Sequence, residues 1–199
     1  MKIPSILLAL ALFLPAQAAP CCENQEKPAA ASAAGSLHEL DSSWTDQNGE
    51  AFQLSKLKNR VVLMTMGYTT CKFACPRLVA DLLAIEKKLT PEEKDKVDIV
   101  FVSIDPLRDT PPALKGFLEG NHADANRWRA LGGDDDGILE LSVALGIRYR
   151  KVGDSDFAHS NIIALLSPAG EVVHRQEGLG ADPAALLGAL RKLLATDEP

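Results

Sequence analysis

Leu78, Leu82, Ile85 and Leu89 recur at intervals of three or four residues, with Val79 and Leu83 beside them. That spacing places one apolar stripe on an α-helix. The run before it, RVVLMTMGY (60–68), is apolar and partly β-branched and predicts a strand, so this region reads as strand, loop, helix. KVDIVFVSID (96–105) predicts a second buried strand, and DTPPALKGFLEG (109–120) a second helix with Thr110-Pro111 at its start. GDDDGILELSVALGI (133–147) has an acidic start and a stripe of Ile138, Leu141 and Leu145, a third helix; IRYRKV (147–152) reads as a strand.

NIIALLSPAGEVVHRQEG (161–178) predicts two strands around Pro168-Ala169-Gly170. DPAALLGALRKLL (182–194) predicts a closing helix with Asp182 as cap, Pro183 at its first position and Leu186, Leu190 and Leu193 inward. Ahead of all this, Asn48-Gly49 separates short segments bearing Trp44 and then Phe52 and Leu54, the signature of a hairpin. Strands alternating with helices predict an α/β fold with a central mixed sheet flanked by helices and an added N-terminal β-hairpin.

Composition narrows the picture. The 199 residues are 46% apolar, enough for one core, and carry a formal charge of −6 without a dense Lys/Arg cluster, which argues against nucleic acid as a partner. Residues 1–18 have one cation, Lys2, an apolar run from Ile6 to Leu14 and Ala16-Gln17-Ala18, the pattern of a cleaved secretory signal peptide. That run is far shorter than the roughly 20 residues of a membrane span, and no later segment is long enough, so the mature chain is expected to have no spanning segment. Residues 19–36 contain PAAASAAGS, the composition of a flexible arm, leaving 37–196 as the folded domain and TDEP as a short tail. Export to the periplasm puts four cysteines where disulfides persist. Pro20 before Cys21 disfavours a lipid anchor there.

Cys71 and Cys75 stand in YTTCKFACPR (68–77). Because Pro76 biases its predecessor away from the helical region, Cys75 is expected as the helix N-cap, and both sulfurs near the positive helix end, where thiolate is favoured. Three readings remain open: a loop-closing disulfide, a redox pair, and two arms of a metal site. The disulfide would close a small loop and stabilise little. Thioredoxin-type redox pairs have two intervening residues instead of three, and paired thiolates suit Cu(I), with zinc as the usual competitor. Of the histidines, His38, His122 and His174 are expected on the surface, whereas His159 lies in a loop just before a strand, a common place for a binding residue.

MTMGYTTCKFACP, VSIDPLRDTPPALKGF and FAHSNIIALLSPAGEV, in that order and spacing, resemble the Sco (SenC) family over roughly residues 44–194. The resemblance implies a thioredoxin-like fold and a copper site in which Cys71, Cys75 and His159 are ligands. The sulfurs would hold Cu(I), and the imidazole would help accommodate Cu(II). It also implies delivery of copper to the dinuclear copper centre of cytochrome c oxidase, or reduction of its cysteines by Cys71 and Cys75. The implied partners are a respiratory copper-enzyme subunit as acceptor and a thiol–disulfide reductase. Asp105, in the loop after the second core strand, is a candidate for tuning the histidine, against a plainer reading in which Asp109 or Thr110 caps the next helix and Arg108 makes a local ion pair. Lys72-Phe73-Ala74 departs from the Pro-Asp beginning of many relatives, and Cys21-Cys22 has no counterpart in the motifs.

Overall fold

A computed structural model describes residues 35–154 and 156–196. The expected signal peptide (1–18), nearly all of the arm (19–36) with Cys21 and Cys22, and the last three residues of the tail lie outside the described residues.

The hairpin is formed by β1 (Trp44–Asp46) and β2 (Ala51–Phe52). Its turn places Gly49 at φ +84°, which glycine adopts without a β-carbon penalty, and the Asp46 carboxylate accepts from the N–H groups of Asn48 and Glu50. Every residue of β3 (Val61–Gly67) is buried, and the chain then enters the cysteine loop and α1 (Ala74–Glu86). A short α2 (Pro91–Lys96) leads into β4 (Val97–Ser103); α3 (Pro111–Gly120), β5 (Arg129–Gly133) and α4 (Asp135–Leu145) follow. The chain continues through β6 (Tyr149–Val152), β7 (Asp156–His159), β8 (Ile162–Leu166), β9 (Val172–Glu177) and α5 (Ala184–Thr196).

Seven strands form one sheet in the order β2-β1-β5-β4-β3-β8-β9. β3, β4 and β5 run parallel, so their connections must cross over through helices; the other neighbours are antiparallel. The sheet is therefore mixed, as the alternation predicted. β6 and β7 pair only with each other, making a separate ribbon that ends at His159.

The apolar stripes fall inward. Leu78, Val79, Leu82 and Ile85 are fully buried, as are Leu114 and Leu118, and Ile138, Leu141 and Leu145. On α5, Leu186, Leu190 and Leu194 are buried, while Leu193 is only partly covered. At about 1.5–3 kcal/mol for each large aliphatic side chain, this burial holds the start of α1 firmly against the end of β3.

Candidate metal centre

The loop between Gly67 and α1 folds around its own sulfurs. Cys71 closes a turn by donating its N–H to the Tyr68 carbonyl at 3.3 Å. The helix cap is Phe73, at φ −127° and ψ −64°, with no capping bond from its side chain. Cys75, expected as the cap, instead lies in the first helical turn. Pro76 is tolerated there because first-turn N–H groups have no intrahelical acceptor to lose. The Cys71 sulfur takes on a capping role, accepting the Cys75 N–H at 3.4 Å.

Cys75 is fully buried. Its Sγ accepts the Tyr68 N–H at 3.4 Å and lies against Gly67, where a β-carbon would be only 2.8 Å from the sulfur. His159 is the last residue of β7, a strand terminus where a loop was expected. Its Nε2 lies 3.5 Å from Cys75 Sγ, and its Nδ1 lies 3.1 Å from the Ser160 carbonyl. With Nδ1–H donating to that carbonyl, Nε2 presents its lone pair to the Cys75 thiol, the tautomer that a metal-binding imidazole requires. The Tyr68 ring stands edge-on to the imidazole, with centroids 6.1 Å apart, and packs on Phe157 at 5.2 Å.

The two thiols differ in acidity. Burial acts to raise Cys71, but the N–H groups of Cys75, Phe73 and Ala74 directed at its sulfur outweigh it, so Cys71 lies below its ordinary value. Burial pushes Cys75 well above its ordinary value, with the Cys71 thiol and the Asp109 charge adding to it against the Tyr68 N–H. His159 is lowered by burial, opposed by its bond to Ser160, and is neutral near pH 7. Both cysteines are free thiols. Cys71, half-buried, opens onto a 560 Å³ cleft lined by Tyr68, Thr70, Lys72, Phe73, Arg108 and Asp156. Among the described residues, no three His, Cys, Asp or Glu side chains already stand in metal-holding geometry; Cys75 touches His159, and Cys71 borders them through the Cys75 N–H.

Asp105 is buried, but its carboxylate accepts from Arg108 Nε at 2.5 Å, and the imidazole is oriented by the Ser160 carbonyl instead. Asp109 was missed. Thr110, its neighbour, is the cap of α3, and Asp109 instead accepts the Thr69 N–H at 3.0 Å, the Thr69 hydroxyl at 2.6 Å and the Ser103 hydroxyl at 2.5 Å. It thereby ties the cysteine loop to the end of β4. Forty residues separate Asp109 from Thr69, and no local pattern marks such a bond. His38, expected at the surface, is buried against Gly170, in the turn between β8 and β9.

The sequence profile of the SCO1/SenC family matches residues 32–195. A SCO2-like protein of Rickettsia conorii is 33% identical over 154 residues, which cover 73% of this chain and 72% of that protein. Several other curated relatives are matched over 62–64% of their own length. Among solved structures, Bradyrhizobium japonicum ScoI with copper bound superposes with a TM-score of 0.60 at 28% identity, covering 76% of this chain and 96% of that one. BsSco, described as a member of the Sco family of cytochrome c oxidase assembly proteins with a disulfide switch, superposes with a TM-score of 0.68 at 25% identity, covering 78% and 92%.

Proposed function

The chain belongs to the SCO1/SenC family, and from that premise we propose that it is an exported copper-binding protein that holds copper through Cys71, Cys75 and His159 and passes it to a respiratory copper enzyme. The observation that carries this reading is the 3.5 Å approach of His159 Nε2 to Cys75 Sγ, with Nδ1 engaged by Ser160. Two sulfurs and a neutral imidazole form a donor set suited to both oxidation states of copper: thiolates favour Cu(I), and the imidazole extends the set toward Cu(II). The copper-bound Bradyrhizobium relative supports the choice of metal, and the description of BsSco as one of the cytochrome c oxidase assembly proteins supports that oxidase as the destination.

The chain's own groups define the exchange. Copper entering at Cys71 meets a thiol already biased toward thiolate; full ligation then requires the Cys75 proton to leave. Release uses the open side at Cys71, where an acceptor's cysteines can replace its sulfur. The copper-binding unit is residues 37–196, preceded by an arm (19–36) and a leader (1–18) that directs export to the periplasm. No described helix is long and apolar enough to cross a membrane.

The acidity difference supports a second reading, reduction of an acceptor disulfide. Cys71 thiolate would attack one acceptor sulfur and expel the other as a thiol; Cys75 would then displace the remaining acceptor sulfur, moving two electrons to the acceptor and leaving a Cys71–Cys75 disulfide. Copper X-ray absorption on the loaded protein tests the first reading. Two sulfurs and one imidazole nitrogen around the metal are expected, with the nitrogen lost in His159→Ala; a shell containing no sulfur would overturn it.

A further inference from the structure

Among the described residues, the two most exposed large apolar side chains are Phe73, at 87%, and Leu107, at 83%. Phe73 lines the thiol cleft from the cysteine loop, and Leu107 is next in sequence to Arg108, which lines it from the loop after β4. Lys72, exposed and without an ion pair among the described residues, supplies a cation at the same rim of a chain whose formal charge is −6. Tyr68, Thr70 and Arg108, whose guanidinium is held by Asp105, also line it, and the exposed Asp156 supplies one carboxylate on the same cleft without an ion pair to Lys72. Aromatic and arginine side chains around a recess are the composition of a protein-binding hot spot, and an exposed phenylalanine has no folding role that explains its position.

We propose that Phe73, Leu107 and Lys72 form the docking surface for a cysteine-bearing segment of the acceptor protein, with apolar side chains on both sides of its cysteines and a carboxylate toward Lys72. The segment is extended, because its sulfur must reach into the cleft to meet the half-buried Cys71. Apolar flanks cover Phe73 and Leu107, and the carboxylate meets the unpaired cation, which favours encounter. This inference rests on Cys71 and Cys75 as the reacting pair, whether the exchange carries copper or electrons.

The test uses the reduced protein with Cys21→Ser and Cys22→Ser, so that only Cys71 and Cys75 react. The probe is a synthetic peptide with a disulfide between two cysteines three residues apart, flanked by Leu and Trp, with one Asp. A control peptide has Ser in place of Leu and Trp. Exchange oxidises Cys71 and Cys75 to a disulfide and reduces the peptide to two thiols. The apolar peptide is expected to react about tenfold faster than the control, a preference that Phe73→Ala and Leu107→Ser each largely remove; Lys72→Glu slows the Asp-bearing peptide in low salt. Rates with hydroxyethyl disulfide and copper loading stay unchanged in the Phe73 and Leu107 variants. No preference in the parent protein, or equal slowing of every disulfide in those two variants, overturns the proposal. Failure of the parent to bind copper while the preference stands contradicts the copper reading alone.

Discussion

The sulfur of Cys75 occupies the space that a side chain at residue 67 would need: a β-carbon on Gly67 would lie 2.8 Å from it and 3.1 Å from the Phe101 ring. Gly67→Ala therefore forces Cys75 or Phe101 to move. The expected result is a loss of about 1–3 kcal/mol in stability and weaker Cu(II) binding as Cys75 leaves His159. Urea unfolding and copper competition measure the two effects; wild-type values for both would show that this contact does not set the site.

Asp109 carries three hydrogen bonds that no other group supplies. Asp109→Ala leaves the Thr69 N–H and two hydroxyls without their acceptor, at a cost of about 1–3 kcal/mol, whereas Asp109→Asn retains an acceptor and costs less. Hydrogen exchange at the Thr69 amide follows the clamp directly. It should quicken strongly in the alanine variant, and unchanged protection would refute the clamp.

Cys71 is half-exposed with a lowered thiol value, and Cys75 is fully buried with a raised one. Iodoacetamide at neutral pH is expected to modify Cys71 at least about tenfold faster than Cys75, as resolved by peptide mass spectrometry. Equal rates would remove the asymmetry on which the order of exchange rests.

His159 and His38 are both lowered by burial; Lys58 lowers His38 further and Glu39 opposes it, while the Ser160 bond opposes the shift of His159. A histidine lowered in the folded state disfavours its own protonation there. Its contribution is intact above the ordinary value of about 6.5 and is lost as pH falls through the window below it. Asp109, raised by burial, has the opposite sign in the carboxylate range. The metal-free protein should therefore unfold at lower urea at pH 5.5 than at pH 7.5, and His38→Gln/His159→Gln should flatten that dependence. The same slope in the double variant would assign it to other groups.

The fold was legible where burial and period agree. The stripe Leu78, Leu82, Ile85 and the run Val61–Met66 declare themselves because each buries a continuous surface. Helix α2 carries no apolar stripe, being Pro91 followed by five charged residues, although Thr90 and Glu93 form a capping box with Pro91 at the first helical position. Strand β5, Arg-Ala-Leu-Gly-Gly, has weak strand propensity and exists through its pairing with β1 and β4. At the site, Cys71, Cys75 and His159 were visible as residue types, but the contact between Cys75 and His159 spans 84 positions and the Asp109 clamp 40. Tertiary contacts of that reach leave no periodic trace.

The central claim is tested most directly by copper titration of the reduced protein with metal counted per chain, beside Cys71→Ser/Cys75→Ser and His159→Ala. One tightly held copper is expected, lost in the double cysteine variant, with Cu(II) binding much weakened in His159→Ala. Undiminished binding in the double cysteine variant would contradict that claim.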